Sequence, residues 1–198
     1  KTKGWSGKIQ RKNGMPYKKS IDGCNIQLTI DLDYQSILED ELSRRQIETN
    51  SISATGIIVN PQTGEILAIA STPGFDNNNF STGDPNYHRI RSITDQFEPG
   101  STFKIVPVCG ALNEGIVHGQ QIIDCSVSTY QNGSRRLRLP SDHHPLGKIS
   151  VHKIVQKSSN RGAAQLGIRL GANRLYNYCT RFGFGKKTDF GIGGERKG

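Results

Sequence analysis

Two apolar runs flank a proline–glycine turn in the first half of the chain, and this pairing limits the fold more than any other feature. The runs are Thr55-Gly56-Ile57-Ile58-Val59-Asn60 and Glu65-Ile66-Leu67-Ala68-Ile69-Ala70-Ser71, joined by Pro61-Gln62-Thr63-Gly64. A four-residue connection opening on proline and closing on glycine reverses the chain, so the two runs are expected to pair as an antiparallel hairpin. Helical patterns dominate the second half. Strands first and helices after predict an α+β fold, with helices packed on an antiparallel sheet.

The remaining segments fill in that outline. Ile26 to Ile30 alternates with period two and predicts a half-buried strand. Asp31 can cap a helix in which Tyr34, Ile37, Leu38, Glu41, Leu42 and Arg45 share one side. Residues 72 to 88 are rich in Pro, Gly, Asn and Asp and predict a loop. Phe103, Val106, Val108, Ala111 and Leu112 fit a buried helix ending near Gly115, kinked at Pro107. From Gly115 to Gly147 the chain is polar and turn-rich, with short strand-like pieces such as Ile122-Ile123. Helical patterns resume at Val151 to Lys157, Ala163 to Leu170 and Asn173 to Phe182, closed by Gly171 and by Gly183-Phe184-Gly185.

Composition narrows the class. Hydrophobic residues make up 33 % of the chain and mean hydropathy is −0.54, values of a water-compatible globular chain with no run long enough to span a membrane. The net charge of +9 is concentrated in Lys1, Lys3, Lys8, Arg11, Lys12, Lys18 and Lys19, all before Asp22. Only Trp5 and Tyr17 interleave, and the chain carries no nucleic-acid motif. A solvated basic segment near an anionic membrane surface is therefore the expectation, not a nucleic-acid partner. Cys109 and Cys179 fall in apolar helical contexts and are expected in the core, with Cys24 and Cys125 the other thiols. His143-His144 has no accompanying ligand spacing, so no metal or other cofactor is expected.

Chemistry centres on Asp95-Gln96-Phe97-Glu98-Pro99-Gly100-Ser101-Thr102-Phe103-Lys104. After the Pro99-Gly100 turn, Ser101 is expected in the first helical turn with Lys104 three residues on, where side chains are neighbours. A desolvated lysine can activate a serine, and unpaired N–H groups at a helix start can hold an oxyanion. The plain alternative is that Ser101 is an N-cap. Ser150-Val151-His152-Lys153 repeats the spacing, but there the serine precedes an apolar-periodic run and reads as a cap.

A second element, Ser158-Ser159-Asn160, lies between two helical segments and also admits a capping reading. Serine-x-x-lysine with serine-x-asparagine is a known signature of penicillin-binding proteins and class A β-lactamases. The flanks extend the match. Asn60 to Asp76 resembles the hairpin and loop that open the transpeptidase domain of class B penicillin-binding proteins, and Thr94 to Lys104 resembles their nucleophile segment. Asn25 to Asp33, Asp142-His143-His144-Pro145-Leu146-Gly147, Gln156 to Ala164 and Phe182-Gly183-Phe184-Gly185 are similar to the family again, in the family's order.

The resemblance covers roughly residues 22 to 198 and implies the serine β-lactamase/penicillin-binding-protein transpeptidase-like fold. Residues 1–22 would then be the end of a pedestal or linker, and residues 23–198 the N-terminal portion of the transpeptidase domain. Ser101 would attack the penultimate D-Ala carbonyl of a peptidoglycan stem peptide, or a β-lactam, and Lys104 would take its proton. Ser158 would relay a proton to the leaving amine, while Asn160 orients the substrate amide and Lys104. The implied setting is the outer side of a bacterial cell membrane, with a single-pass anchor upstream and partners among a membrane glycosyltransferase and divisome or elongasome proteins. A penicillin-recognising sensor or idle scaffold, or a serine β-lactamase, are the alternatives. The family's third motif, Lys-Ser/Thr-Gly, is expected beyond Gly198, since Lys187-Thr188-Asp189 substitutes an aspartate for the required glycine. Ile90 stands where the family often has asparagine.

Overall fold

The computed structural model describes residues 2–3, 9–10, 21–79, 81, 83–189, 191 and 193–198. Two short strands, β1 (Thr2–Lys3) and β2 (Ile9–Gln10), pair antiparallel. The rest of the basic segment lies outside the described residues. Next come α1 (Leu32–Thr49), β3 (Ala54–Val59), β4 (Ile66–Thr72) and the short α2 (Arg91–Thr94). A 3₁₀ run over Gly100–Lys104 leads into α3 (Ile105–Asn113). After it stand β5 (Ile122–Asp124), β6 (Thr129–Asn132), β7 (Arg135–Arg138), β8 (Lys148–Ser150), α4 (Val151–Gln156), α5 (Asn160–Leu170) and α6 (Ala172–Arg181). The α+β expectation is met, and every ladder among the described residues is antiparallel: β1–β2, β3–β4, β5–β8 and β6–β7.

The hairpin forms where the sequence places it. Gly56 faces Ala70 and Ile58 faces Ala68 across β3–β4, and the turn is closed by the Asn60 side chain accepting the Gln62 N–H at 3.0 Å. Helix α1 lies on one face of this pair. Asp31 caps it, accepting the N–H groups of Asp33 (3.0 Å) and Tyr34 (3.2 Å), a cap worth about 1 kcal/mol. The small side of Gly56 admits Leu38 and Leu42. The buried stripe is narrower than the sequence predicts. Tyr34 and Ile37 stay exposed, at 48 % and 58 %, and the half-buried positions are Gln35, Leu38, Leu42 and Gln46. Gln35 enters because its amide grips the β4 edge, donating to the Ile69 carbonyl at 3.0 Å and accepting the Ile69 N–H at 2.9 Å.

The strand expected over Ile26 to Ile30 is absent. This segment passes the β4 edge without a ladder, held by Thr29 Oγ1 donating to the Ile66 carbonyl (2.6 Å) and the Asp31 N–H donating to the Leu67 carbonyl (2.9 Å). Its alternating side chains Ile26 and Leu28 are exposed, so the period-two pattern has no sheet to serve.

The core lies in the second half. Val108, Ala111, Val117, Ile123, Cys125, Val151, Ile154, Ala163 and Leu166 form one buried cluster, and Val106, Leu170 and Tyr178 a second. Helix α3 joins the two, crossing α5 and α6 at Gly110. A Cβ there would lie 2.6 Å from Leu170 Cδ2 and 3.1 Å from the Tyr178 ring, so only glycine lets the helices approach this closely. Cysteine burial differs from expectation. Cys109 is exposed and Cys179 half-buried, packed at the margin of the second cluster, whereas Cys125 is 1 % exposed. All four thiols are free. Pro107 does not break the helix. The chain enters α3 through the 3₁₀ run, which puts Pro107 in the first α turn, where proline is tolerated.

The caps behave as expected in the second half. Ser150 caps α4, accepting the Lys153 N–H at 3.3 Å, and Gly171 ends α5 with φ +81°. Among the described residues no helix is long and apolar enough to cross a membrane, and no group of three or more His, Cys, Asp or Glu could hold a metal ion.

Candidate active site

Three of the four residues singled out by sequence meet at one nitrogen. Lys104 Nζ donates to Ser101 Oγ at 3.2 Å, to Ser158 Oγ at 2.8 Å and to the Ser158 carbonyl at 2.5 Å. Ser101 and Lys104 align because they lie on a 3₁₀ run, where residues three apart eclipse, and not on the α-helical turn the sequence predicted. Lys104 is half-buried, while Ser101 and Ser158 are exposed and open to a ligand.

Ser158 reaches Lys104 through an unusual backbone. Its φ is +53°, in the left-handed region that a non-glycine residue adopts at a cost of about 1–3 kcal/mol, so the surroundings must hold it there. They do so at the next three residues. Ser159, fully buried, is the N-cap of α5 and accepts the Gly162 N–H at 2.9 Å. Ser159 Oγ donates to Asp142 Oδ2 at 2.8 Å, and Asp142 Oδ1 accepts the N–H groups of Asn160 (2.5 Å) and Arg161 (3.1 Å). The capping role that the sequence left open for Ser158 is therefore taken by Ser159, and the Ser158 hydroxyl is left for Lys104.

Asn160 is the fourth residue. Its side-chain nitrogen donates to the Ser141 carbonyl at 2.7 Å, with no hydrogen bond to Lys104 among the described residues. One of its two N–H donors is thus spent on the scaffold, and Oδ1 has no hydrogen bond among the described residues. Arg161 holds the same stretch from the other side, donating to the carbonyls of Pro140 (3.3 Å) and Ser126 (2.9 Å). Sequence reasoning missed Asp142 as an anchor. Its only signal was its place in the Asp142 to Gly147 stretch, which says nothing of a contact to residues 159–161.

An open cavity of about 540 Å³ adjoins Lys104, with Asn160 and Gly100 also in its lining. Phe103, Pro107 and Leu175 line the apolar part. Its far wall is the β6–β7 hairpin, through Asn132 and Leu137. Lys187-Thr188-Asp189 takes no part in it. Thr188 is tied into a local turn, its N–H and hydroxyl both donating to Glu195 Oε1 at 2.6 Å. Ile90 starts α2 with no side-chain cap, and the neighbouring Arg91 N–H bonds Ser71 Oγ at 3.1 Å instead.

Known proteins share this arrangement of sequence and fold. Residues 54–198 match the family model described as the penicillin binding protein transpeptidase domain. Stage V sporulation protein D of Bacillus subtilis is 34 % identical over 185 residues, covering 92 % of this chain and 28 % of that protein. Peptidoglycan D,D-transpeptidase FtsI of Escherichia coli is 33 % identical over 174 residues, covering 88 % of this chain and 29 % of that protein. The chain thus spans about three tenths of the length of the relatives it matches. Among solved structures, a peptidoglycan glycosyltransferase from Burkholderia ambifaria superposes with a TM-score of 0.72 at 25 % identity, over 87 % of this chain and 49 % of that one. A family model that takes in β3 through the last residue, and relatives at one-third identity across most of the chain, place it: this chain belongs to the penicillin-binding protein transpeptidase family, in its class B branch.

Proposed function

We propose that this chain is the nucleophile-bearing part of a serine D,D-transpeptidase that cross-links peptidoglycan stem peptides through an acyl-serine. One observation carries the reading: a single lysine nitrogen within hydrogen-bond reach of two serine hydroxyls. Lys104 takes the Ser101 proton while Oγ attacks the penultimate D-Ala carbonyl. The C–N bond to the terminal D-Ala then breaks. Ser158 Oγ, 2.8 Å from Lys104 Nζ, passes the proton on to the leaving nitrogen. A free amine of a neighbouring stem attacks the ester carbonyl, Ser101 leaves with a proton returned along the same path, and the cross-link is complete. Asn160 Oδ1 receives the substrate amide N–H. The Ser101 N–H, at the start of the 3₁₀ run, supplies part of the oxyanion hole, and one such donor is worth about a hundredfold in rate.

The same reading places the protein at the outer face of a bacterial membrane, in the company of cell-wall glycosyltransferase and division or elongation proteins. Residues 1–22 act as the end of a pedestal and residues 23–198 as the first portion of the catalytic domain. The relative named as a peptidoglycan D,D-transpeptidase supports the cell-wall role.

Intact mass after exposure of the full-length protein to benzylpenicillin tests it. A long-lived adduct of one penicillin, absent in Ser101→Ala, is expected. An adduct that survives the substitution, or none in the wild type, removes Ser101 as nucleophile, and an adduct lost within seconds identifies a β-lactamase.

A further inference from the structure

The β6–β7 hairpin forms the far wall of the cavity, and its register sorts its side chains. Cross-strand partners share a face, so Asn132↔Arg135 and Tyr130↔Leu137 form one face, and Gln131↔Arg136 and Thr129↔Arg138 the other. Asn132 and Leu137 line the cavity together with Lys104 and Asn160. Arg135 therefore belongs to the cavity face, at the hairpin tip, whereas Arg136 and Arg138 belong to the outer face, where Arg136 Nε is bound to Thr129 Oγ1 at 3.1 Å.

Charge around this tip is unbalanced. Residues 125–141 contain Arg135, Arg136 and Arg138 and no aspartate or glutamate. The nearest carboxylates in sequence are already engaged, Asp124 by the N–H and hydroxyl of Ser126 and Asp142 by three donors at the start of α5. Arg135 is exposed and has no ion pair among the described residues. An exposed arginine paired across the hairpin with Asn132, on the face that lends Asn132 and Leu137 to the cavity beside Lys104, suits one class of ligand: an extended peptide bearing a carboxylate some residues before the bond to be broken. Guanidinium recognises carboxylate in a planar two-point geometry that an amide in the same place does not offer.

Resting on the transpeptidase reading above, we propose that Arg135, with Asn132 beside it, is a specificity-determining residue that binds a backbone carboxylate of the donor stem peptide outside its reacting D-Ala–D-Ala end. Leu137 and Tyr130 provide the apolar floor over which the peptide runs. The hairpin thus discriminates stems with a free carboxylate from stems in which it is amidated.

The test uses the full-length protein and two synthetic pentapeptides ending in D-Ala–D-Ala, identical except that the second residue carries a free α-carboxylate in one and a carboxamide in the other. Acyl-enzyme formation is followed by mass, with benzylpenicillin as a separate acylating probe. The wild type is expected to acylate about tenfold faster with the carboxylate stem, the size of one partly exposed charge-assisted contact. Arg135→Gln should bring the ratio to about one, and Arg135→Lys should restore part of it. Arg138→Gln, which removes the same charge from the opposite face, should leave the ratio at its wild-type value. A wild-type ratio of one, a ratio that survives Arg135→Gln, or one abolished equally by Arg138→Gln overturns the proposal while penicillin acylation still supports the transpeptidase. Absence of any acyl-enzyme, with penicillin included, overturns both.

Discussion

At the scale of single residues, the geometry of the proposed site depends on groups outside the Ser101–Lys104–Ser158 cluster. Asp142 accepts three hydrogen bonds from residues 159–161 and so fixes the turn that keeps Ser158 in its left-handed conformation. Asp142→Ala leaves two N–H groups and the Ser159 O–H donor without their acceptor, a loss of about 1–3 kcal/mol that should lower the melting temperature. It should also slow penicillin acylation of Ser101, whereas Asp142→Asn, which keeps one acceptor oxygen, should lie between the two; stopped-flow acylation rates check the order. Cys125 offers an independent probe of the same region. Burial pushes its thiol up from the ordinary range, and it is 1 % exposed beside Ser159. In a thiol titration at pH 8, Cys24 and Cys109 should react at once and Cys125 only after denaturant is added. Sequence made Ser101 and Lys104 legible because their partnership is local, three residues on one turn. Asp142 was not legible, because its partners lie 17 to 19 residues away and a capping carboxylate looks like any loop aspartate.

At the scale of elements, turn chemistry was read well and pairing partners were not. The Pro61 to Gly64 turn and the Ser150 and Asp31 caps formed as the residue types require, since each needs only neighbours in sequence. Ile26 to Ile30 has an equally clean alternation yet forms no strand, because a strand needs a second strand and periodicity does not supply one. The reverse happened at β6–β7. Gly133-Ser134 is the two-residue loop between Asn132 and Arg135, and Gly133 has the positive φ (+59°) such a turn demands, but the arginines of β7 hide the alternation. Packing between elements gives a sharper prediction. Gly110→Ala puts a methyl 2.6 Å from Leu170 and 3.1 Å from Tyr178, and overpacking of this kind costs about 1–3 kcal/mol. Chemical denaturation should show the midpoint falling with the slope unchanged.

At the scale of the whole molecule, stability is uneven. Among the described residues, every large, fully buried side chain lies between residues 106 and 166, whereas α1 buries no residue completely. Hydrogen exchange should therefore find the amides of α3 and α5 protected longest and those of α1 the least, with equal protection along both refuting this division. The proposed site sits on the better-built half. Lys104 has all three of its bonds by residue 158, and the aspartate clamp closes by residue 161. Since a chain is made from its N-terminus, every group of this cluster has been synthesised by residue 161, before α6 begins at Ala172.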